Sequence, residues 1–226
     1  MTVTLVHPDV VEKWDRAFAG GSDKRYPSLD LVRLEKWFFK GQPGRLLEYG
    51  CGSGVNLIHM LECGYESDAI DASSGAIESV RRKLSARPDI EAKARLHHLS
   101  PDASSLPFED DCFDYVTSIN VLSLLASRER VGQLLSEFRR VMKPGAKILL
   151  DINAPNADFA RDMKYLGDDV YAYVADDDNA VPTYCPKDVT FHDLVREYFD
   201  IDDTGYTSHS YCGSEITEYI VCAHKS

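Results

Sequence analysis

Residues 46–56 read Leu-Leu-Glu-Tyr-Gly-Cys-Gly-Ser-Gly-Val-Asn, and no other stretch constrains the chain as strongly. An apolar run ends in an acid, glycines alternate at Gly50, Gly52 and Gly54, and a helical pattern follows at Val55, Leu57, Ile58 and Leu61. That is how a parallel strand turns tightly into a helix beside a ligand. Glycine admits positive φ, and with no Cβ it lets a ligand lie on the backbone. The loop alone leaves the ligand open.

The rest of the chain repeats this alternation. Periodicity predicts strands at Arg45–Tyr49, Ser67–Ile70, Ala94–Leu99, Phe113–Ile119 and Ala146–Ile152, the last after a Lys143-Pro144-Gly145 turn. Helices are expected over 54–63, from Ser73 or Ser74 to Leu84, and over Arg128–Met142. Alternation of this kind makes a parallel, doubly wound α/β sheet. Residues 200–211 and 215–224, around Cys212-Gly213-Ser214, predict an antiparallel hairpin at its end. Before the sheet come two helical stripes, Val10, Val11, Trp14, Phe18 and then Leu31, Leu34, Trp37, Phe38, the second capped by Ser28. Both tryptophans read as core. Residues 154–186 break the pattern with acids and aromatics, which predicts an insertion with short elements of its own. Thr190–Tyr198 reads as a helix.

A length of 226 residues and 44% hydrophobic content fit one domain with a sizeable core. The net charge of −12 offers no basic run for nucleic acid, and favours small molecules or cationic partners. No apolar run approaches the ~18–20 residues of a membrane span, and the N-terminus lacks the pattern of a secretory signal. The six cysteines form no Cys-x-x-Cys pair, so no metal site is expected. Reduced thiols and a cytoplasmic location are the expectation.

In doubly wound sheets, ligands bind beyond the carboxyl ends of the strands. Three predicted strand ends carry distinctive residues: Gly50–Gly54, Asp71 and Asp102-Ala103. Asp71 lies 17 positions after Gly54, and an acid about 20 residues on accepts hydrogen bonds from ribose hydroxyls. Together they describe a pocket for an adenosine-containing ligand. The loop is Gly-x-Gly-x-Gly rather than the Gly-x-Gly-x-x-Gly of dinucleotide sites, and no Gly-x-x-x-x-Gly-Lys loop for a triphosphate exists.

Leu46–Asn56 resembles the first motif of class I S-adenosylmethionine-dependent methyltransferases, Asp/Glu-x-Gly-x-Gly-x-Gly. Ala69-Ile70-Asp71-Ala72-Ser73 resembles that family's second strand end. Asp102-Ala103-Ser104-Ser105-Leu106-Pro107-Phe108 resembles its Asp-Ala-x-x-Leu-Pro-Phe loop. Phe113-Asp114-Tyr115-Val116, Asn120-Val121-Leu122 and Phe138–Ile148 resemble the later segments. The match runs in order over roughly residues 44–153 and departs from the pattern at Ser100-Pro101, where glycine is frequent.

The resemblance implies a Rossmann-like single domain over 1–226, with seven strands. It also implies S-adenosyl-L-methionine as cofactor and S-adenosyl-L-homocysteine as product. Glu48, Gly50, Cys51 and Gly52 would meet the methionine portion, Asp71 with Ala72 the ribose, Asp102 and Ala103 the adenine, and Asn120 the methyl donor or acceptor. Residues 1–41 would cover the cofactor, with Trp14 closing over it and Arg25 pairing its carboxylate. Residues 154–190 would form the acceptor-side insertion or lid, with Asp176, Asp177 and Asp178 drawing a cationic acceptor. His192 and His209 are candidate bases. No Asn-Pro-Pro-Tyr-like stretch follows the fourth strand, which favours a small-molecule or protein side-chain acceptor over adenine in nucleic acid; a small-molecule amine or hydroxyl is the expectation. The alternatives are a protein lysine, or a non-catalytic interaction protein that binds the cofactor.

Overall fold

Leu46 and Leu47 are both fully buried, although they point to opposite faces of the first strand of the sheet. That strand is therefore covered on both sides, as a parallel sheet requires. The computed structural model describes residues 4–156, 163–173, 181–211 and 214–226. In chain order, α1 (Pro8–Ala19) and α2 (Leu29–Trp37) precede β1 (Arg45–Tyr49), α3 (Val55–Glu62), β2 (Glu66–Asp71), α4 (Ser74–Leu84), a short α5 (Pro88–Glu91) and β3 (Ala94–His98). Then come β4 (Phe113–Ser118), a 3-10 turn (Leu122–Leu125), α6 (Arg128–Val141) and β5 (Met142–Asn153). They are followed by β6 (Met163–Gly167), β7 (Val170–Tyr173), β8 (Thr183–Tyr184), α7 (Asp188–Arg196), β9 (Asp200–Tyr211) and β10 (Ser214–His224).

The main sheet has seven strands in the order β3-β2-β1-β4-β5-β10-β9. β1, β2, β3, β4 and β5 run parallel, while β10 is antiparallel to both β5 and β9. The Rossmann-like, mostly parallel sheet with a C-terminal antiparallel pair is thus as expected. One face packs Leu47, Val116, Ile148 and Leu150 under Leu134, Leu135 and Phe138 of α6. Burying each such side chain contributes about 1.5–3 kcal/mol. The other face packs Leu46, Leu149 and Cys222 against Leu31 of α2 and against Phe39.

Three sequence expectations change. Trp37 is 72% exposed, not core. It is the last residue of α2, whose buried positions are Leu31 and Glu35, and Phe39 beyond the helix takes the core place. The Lys143-Pro144-Gly145 turn lies inside β5, absorbed by a register shift against β4 and a φ of 77° at Gly145. The helix expected over Thr190–Tyr198 starts and stops two residues earlier.

The expected insertion does hold short elements: β6, β7 and β8 form a separate antiparallel sheet. Asp176, Asp177, Asp178, Cys212 and Gly213 lie outside the described residues. Among the described residues no helix is long and apolar enough to cross a membrane, no group of His, Cys, Asp or Glu is placed to hold a metal, and the cysteines are free thiols.

Candidate functional site

The carboxyl ends of β1, β2 and β4 open into one cavity. Its floor is the glycine loop Gly50–Ser53, its sides are Asp71-Ala72 and Ile119–Val121, and its roof is Val10, Val11, Trp14 and Phe18 of α1. The stripe read as a packing face is therefore a roof of apolar side chains. It is fastened at one point. Asp15 Oδ1 accepts hydrogen bonds from Ser73 Oγ at 2.6 Å and from Gly75 N–H at 3.3 Å, at the start of α4. Gly75 has to be small there, since a Cβ would sit 3.0 Å from Phe18 Cβ.

Asp71 is clamped from both sides. Its Oδ2 accepts the Gly52 N–H at 2.8 Å and its Oδ1 accepts the Ser73 N–H at 2.8 Å. Burial raises its pKa, and these two backbone bonds oppose the rise without cancelling it. The loop is thereby locked to the end of β2.

The glycines divide the work unevenly. A Cβ on Gly50 would lie 2.3 Å from Val121 Cγ2, and one on Gly54 2.7 Å from Val80 Cγ2. Side chains of the protein, rather than a ligand, occupy those spaces. At Gly52 a Cβ would meet only Phe18 Cζ, at 3.8 Å, so this is the glycine whose open side faces the cavity.

Glu48, the penultimate residue of β1, is 4% exposed. Burial, and then the charge of Asp71, push its carboxyl up to about 8. Its Oε2 is buried with no hydrogen-bond partner, and so is Oγ1 of Thr117, its register partner on β4. Buried polar atoms without a partner are uncommon, and this pair in register leaves hydrogen-bonding capacity that a ligand can use.

Of the residues singled out from sequence, Trp14, Gly50, Cys51, Gly52, Asp71, Ala72 and Asn120 line the cavity together. Glu48 is buried and stands outside the lining. Arg25 does not line it and is exposed; Lys24 lines it instead. The segment is pinned by Lys24 N–H on Ser53 Oγ at 3.2 Å and Ser28 N–H on Asn56 Oδ1 at 2.9 Å, which leaves Arg25 turned to solvent between them. Asp102 is exposed and, like Ala103, stands outside the lining. The Ala103 N–H is used by Ser100 O at 2.9 Å, and its carbonyl accepts the Leu5 N–H at 2.8 Å, so the N-terminal segment occupies that loop.

His192 and His209 also lie away from the cavity, whereas His7, which the sequence reading passed over, lines it. Burial, then nearby Arg130, lower the His7 pKa. Its only advance signal was its place just before the α1 stripe.

A doubly wound sheet closed by an antiparallel pair, with an acid clamped to a glycine loop, is the arrangement expected of the Rossmann-like methyltransferase class. The residues fit that class's adenosyl cofactor through the open face of Gly52, Asp71 and the orphaned Glu48 oxygen.

Residues 47–150 match the family described as "methyltransferase domain". The chain is 33% identical over 107 residues to a demethylmenaquinone methyltransferase of Clavibacter sepedonicus, covering 47% of this chain and 40% of that protein. It is 35% identical over 132 residues to a cypemycin N-terminal methyltransferase of a Streptomyces species, covering 57% and 50%. The chain thus spans half or less of these relatives' length.

Its fold matches the crystal structure of a Burkholderia thailandensis 1,6-didemethyltoxoflavin-N1-methyltransferase bound to its namesake substrate and S-adenosylhomocysteine. There the TM-score is 0.73 at 15% identity, over 96% of this chain and 88% of that one. Residues 47–150 thus match a methyltransferase domain, inside a fold shared with methyltransferases of known structure that use S-adenosyl-L-methionine.

Proposed function

We propose that the protein transfers a methyl group from S-adenosyl-L-methionine to an amine or hydroxyl of a small molecule and releases S-adenosyl-L-homocysteine. The observation that carries this reading is Asp71, held by two backbone N–H groups at the edge of a roofed cavity. The Burkholderia and Clavibacter relatives, named for small-molecule methylation, support the acceptor class.

When bound, the sulfonium supplies an already activated methyl group, so positioning and exclusion of water carry much of the catalysis. Asp71 accepts the ribose hydroxyls. Glu48 receives the methionine ammonium, directly or through water, which satisfies its orphaned oxygen. Lys24 stands where Arg25 was expected and pairs with the carboxylate. Val10, Val11 and Trp14 keep water out from above. Asn120 edges the space in which donor and acceptor meet. Where the acceptor has to lose a proton, His7, which lines the cavity, takes it. Asp102, which is exposed, and Ala103, whose N–H and carbonyl are taken by Ser100 O and the Leu5 N–H, have no part in this assignment.

Calorimetry with S-adenosyl-L-methionine on the wild type and on Asp71→Ala tests the reading. Binding by the wild type and its loss in the variant are expected, and no binding by the wild type overturns it. A radiolabelled-methyl screen of metabolite and protein fractions then identifies the acceptor; labelling confined to protein would overturn the small-molecule reading.

A further inference from the structure

A charged residue interrupts the buried run of β5. Leu149, Leu150 and Ile152 are core, and Asp151 among them is only 4% exposed. Asp151 Oδ1 accepts the backbone N–H of Asn120 at 2.6 Å, just beyond the end of β4. Asn120 is held at a φ of 62°, in the left-handed region. Asparagine visits that region more readily than most residues, but at a cost its surroundings must offset.

The next residue, Val121, presses its methyl groups into the space above Gly50. A carboxyl on β5 is thus linked to the glycine loop on β1 through one hydrogen bond and one packed contact. Ile119, Asn120 and Val121, the segment so held, form one side of the cavity.

The surroundings of Asp151 give it no strong counterion. Glu218 of β10 and Asp30 of α2 face it with like charge, and Lys24 with opposite charge. Burial is the largest influence and raises its pKa, and the Asn120 N–H works against that rise. No salt bridge joins it to a described residue within 4 Å. A carboxyl left in such a place is costly unless its hydrogen bond has a use.

We propose that Asp151 is a positioning residue of the methyl-transfer site, holding the left-handed turn at Asn120 and through it the seat of Val121 on Gly50. This rests on reading the cavity as the cofactor site. The role requires an oxygen acceptor rather than a charge, so asparagine can fill it and alanine cannot.

The test compares the full-length wild type, Asp151→Asn and Asp151→Ala. Affinity for S-adenosyl-L-homocysteine is measured by calorimetry, and exchange of the Asn120 amide by NMR. Asp151→Asn is expected to bind within about threefold of the wild type with the Asn120 amide protected, whereas Asp151→Ala binds about tenfold more weakly and loses that protection. Folded Asp151→Ala that binds like the wild type overturns the inference, and so does Asp151→Asn falling as far as Asp151→Ala.

Should Asp151→Ala not fold, the Asn120→Gly background decides, because glycine adopts the left-handed turn unaided. There Asp151→Ala is expected to change affinity less than about threefold; a further tenfold loss, or failure of the double variant to fold, overturns the inference. No binding by the wild type removes the cofactor reading and this inference together, an outcome distinct from wild-type binding with an indifferent Asp151.

Discussion

The Ser73 hydroxyl serves two elements at once: it donates to Asp15 Oδ1 of α1 at 2.6 Å and accepts the Ala76 N–H of α4 at 3.1 Å. The cap of one helix is also the fastening of the other. Asp15→Ala should therefore release the roof while leaving α4 capped. The expected result is a loss of about 1–2 kcal/mol, faster amide exchange through α1, and weaker S-adenosyl-L-homocysteine binding. Exchange in β1 and β4 should stay unchanged; hydrogen-exchange mass spectrometry reads all of these regions.

Gly50 and Gly52 should fail differently when replaced by alanine. Both have positive φ, at 75° and 51°. Gly50→Ala adds a collision with Val121, so it should cost about 3 kcal/mol or more and lower the melting temperature sharply. Gly52→Ala adds only the backbone strain of about 1–2 kcal/mol, and its new methyl group meets the ligand space. Thermal melts should separate the two variants in that order, and calorimetry on folded Gly52→Ala should show weakened cofactor binding.

Lys24 and Arg25 make a controlled pair, adjacent in sequence and of equal charge. Lys24→Ala should weaken S-adenosyl-L-homocysteine binding about fivefold to tenfold, the scale of one charge-assisted contact. Arg25→Ala should change it less than about twofold, as expected of a solvated side chain. Titration calorimetry at one ionic strength compares them.

Glu48 sets a pH dependence. Its pKa is raised in the folded chain to about 8 from an ordinary 4.5. Between those values the folded state keeps a proton that the unfolded chain has released. Its stabilising contribution is whole below about 4.5 and is lost as pH rises through about 8, at up to about 1.4 kcal/mol per pH unit. Asp71, Asp151 and Glu218 are raised as well and act in the same sense. Asp68 and Asp114, lowered from 3.8, act oppositely but below that value, and His7 and His192, lowered from 6.5, oppose the fall within the range without the reach of Glu48. Denaturant titrations of the ligand-free protein should show stability falling over this range, and Glu48→Gln should flatten the fall.

What the sequence revealed and what it hid follow from distance along the chain. The glycine loop, the strand at Arg45–Tyr49 and Asp71 were legible because strand, turn and acid lie within 30 residues and obey local rules. Which tryptophan faces in was not, because Trp14 and Trp37 both sit on helical stripes and only tertiary packing separates a roof from a solvent edge. Arg25 was singled out by residue type, whereas which residue of the segment lines the cavity depends on where Ser53 and Asn56 anchor it. Val121 above Gly50 needed the β1–β4 register. Asp151 did leave a mark: an acid inside Leu149-Leu150-Asp151-Ile152 is a charge where a buried strand should have none, and such a break in pattern points to a specific partner.

If Asp71 receives the ribose as proposed, its double clamp also bears on which nucleosides fit. Each carboxylate oxygen has more than one lone pair, and the Gly52 and Ser73 N–H groups take one on each side. What remains facing outward is acceptor capacity with no donor to offer. A vicinal diol answers that with two hydroxyl donors. A ribose phosphate answers it with further negative charge against a fixed, half-buried carboxylate. On the proposed reading, the same clamp that shapes the loop would discriminate between a plain adenosyl group and its phosphorylated relatives.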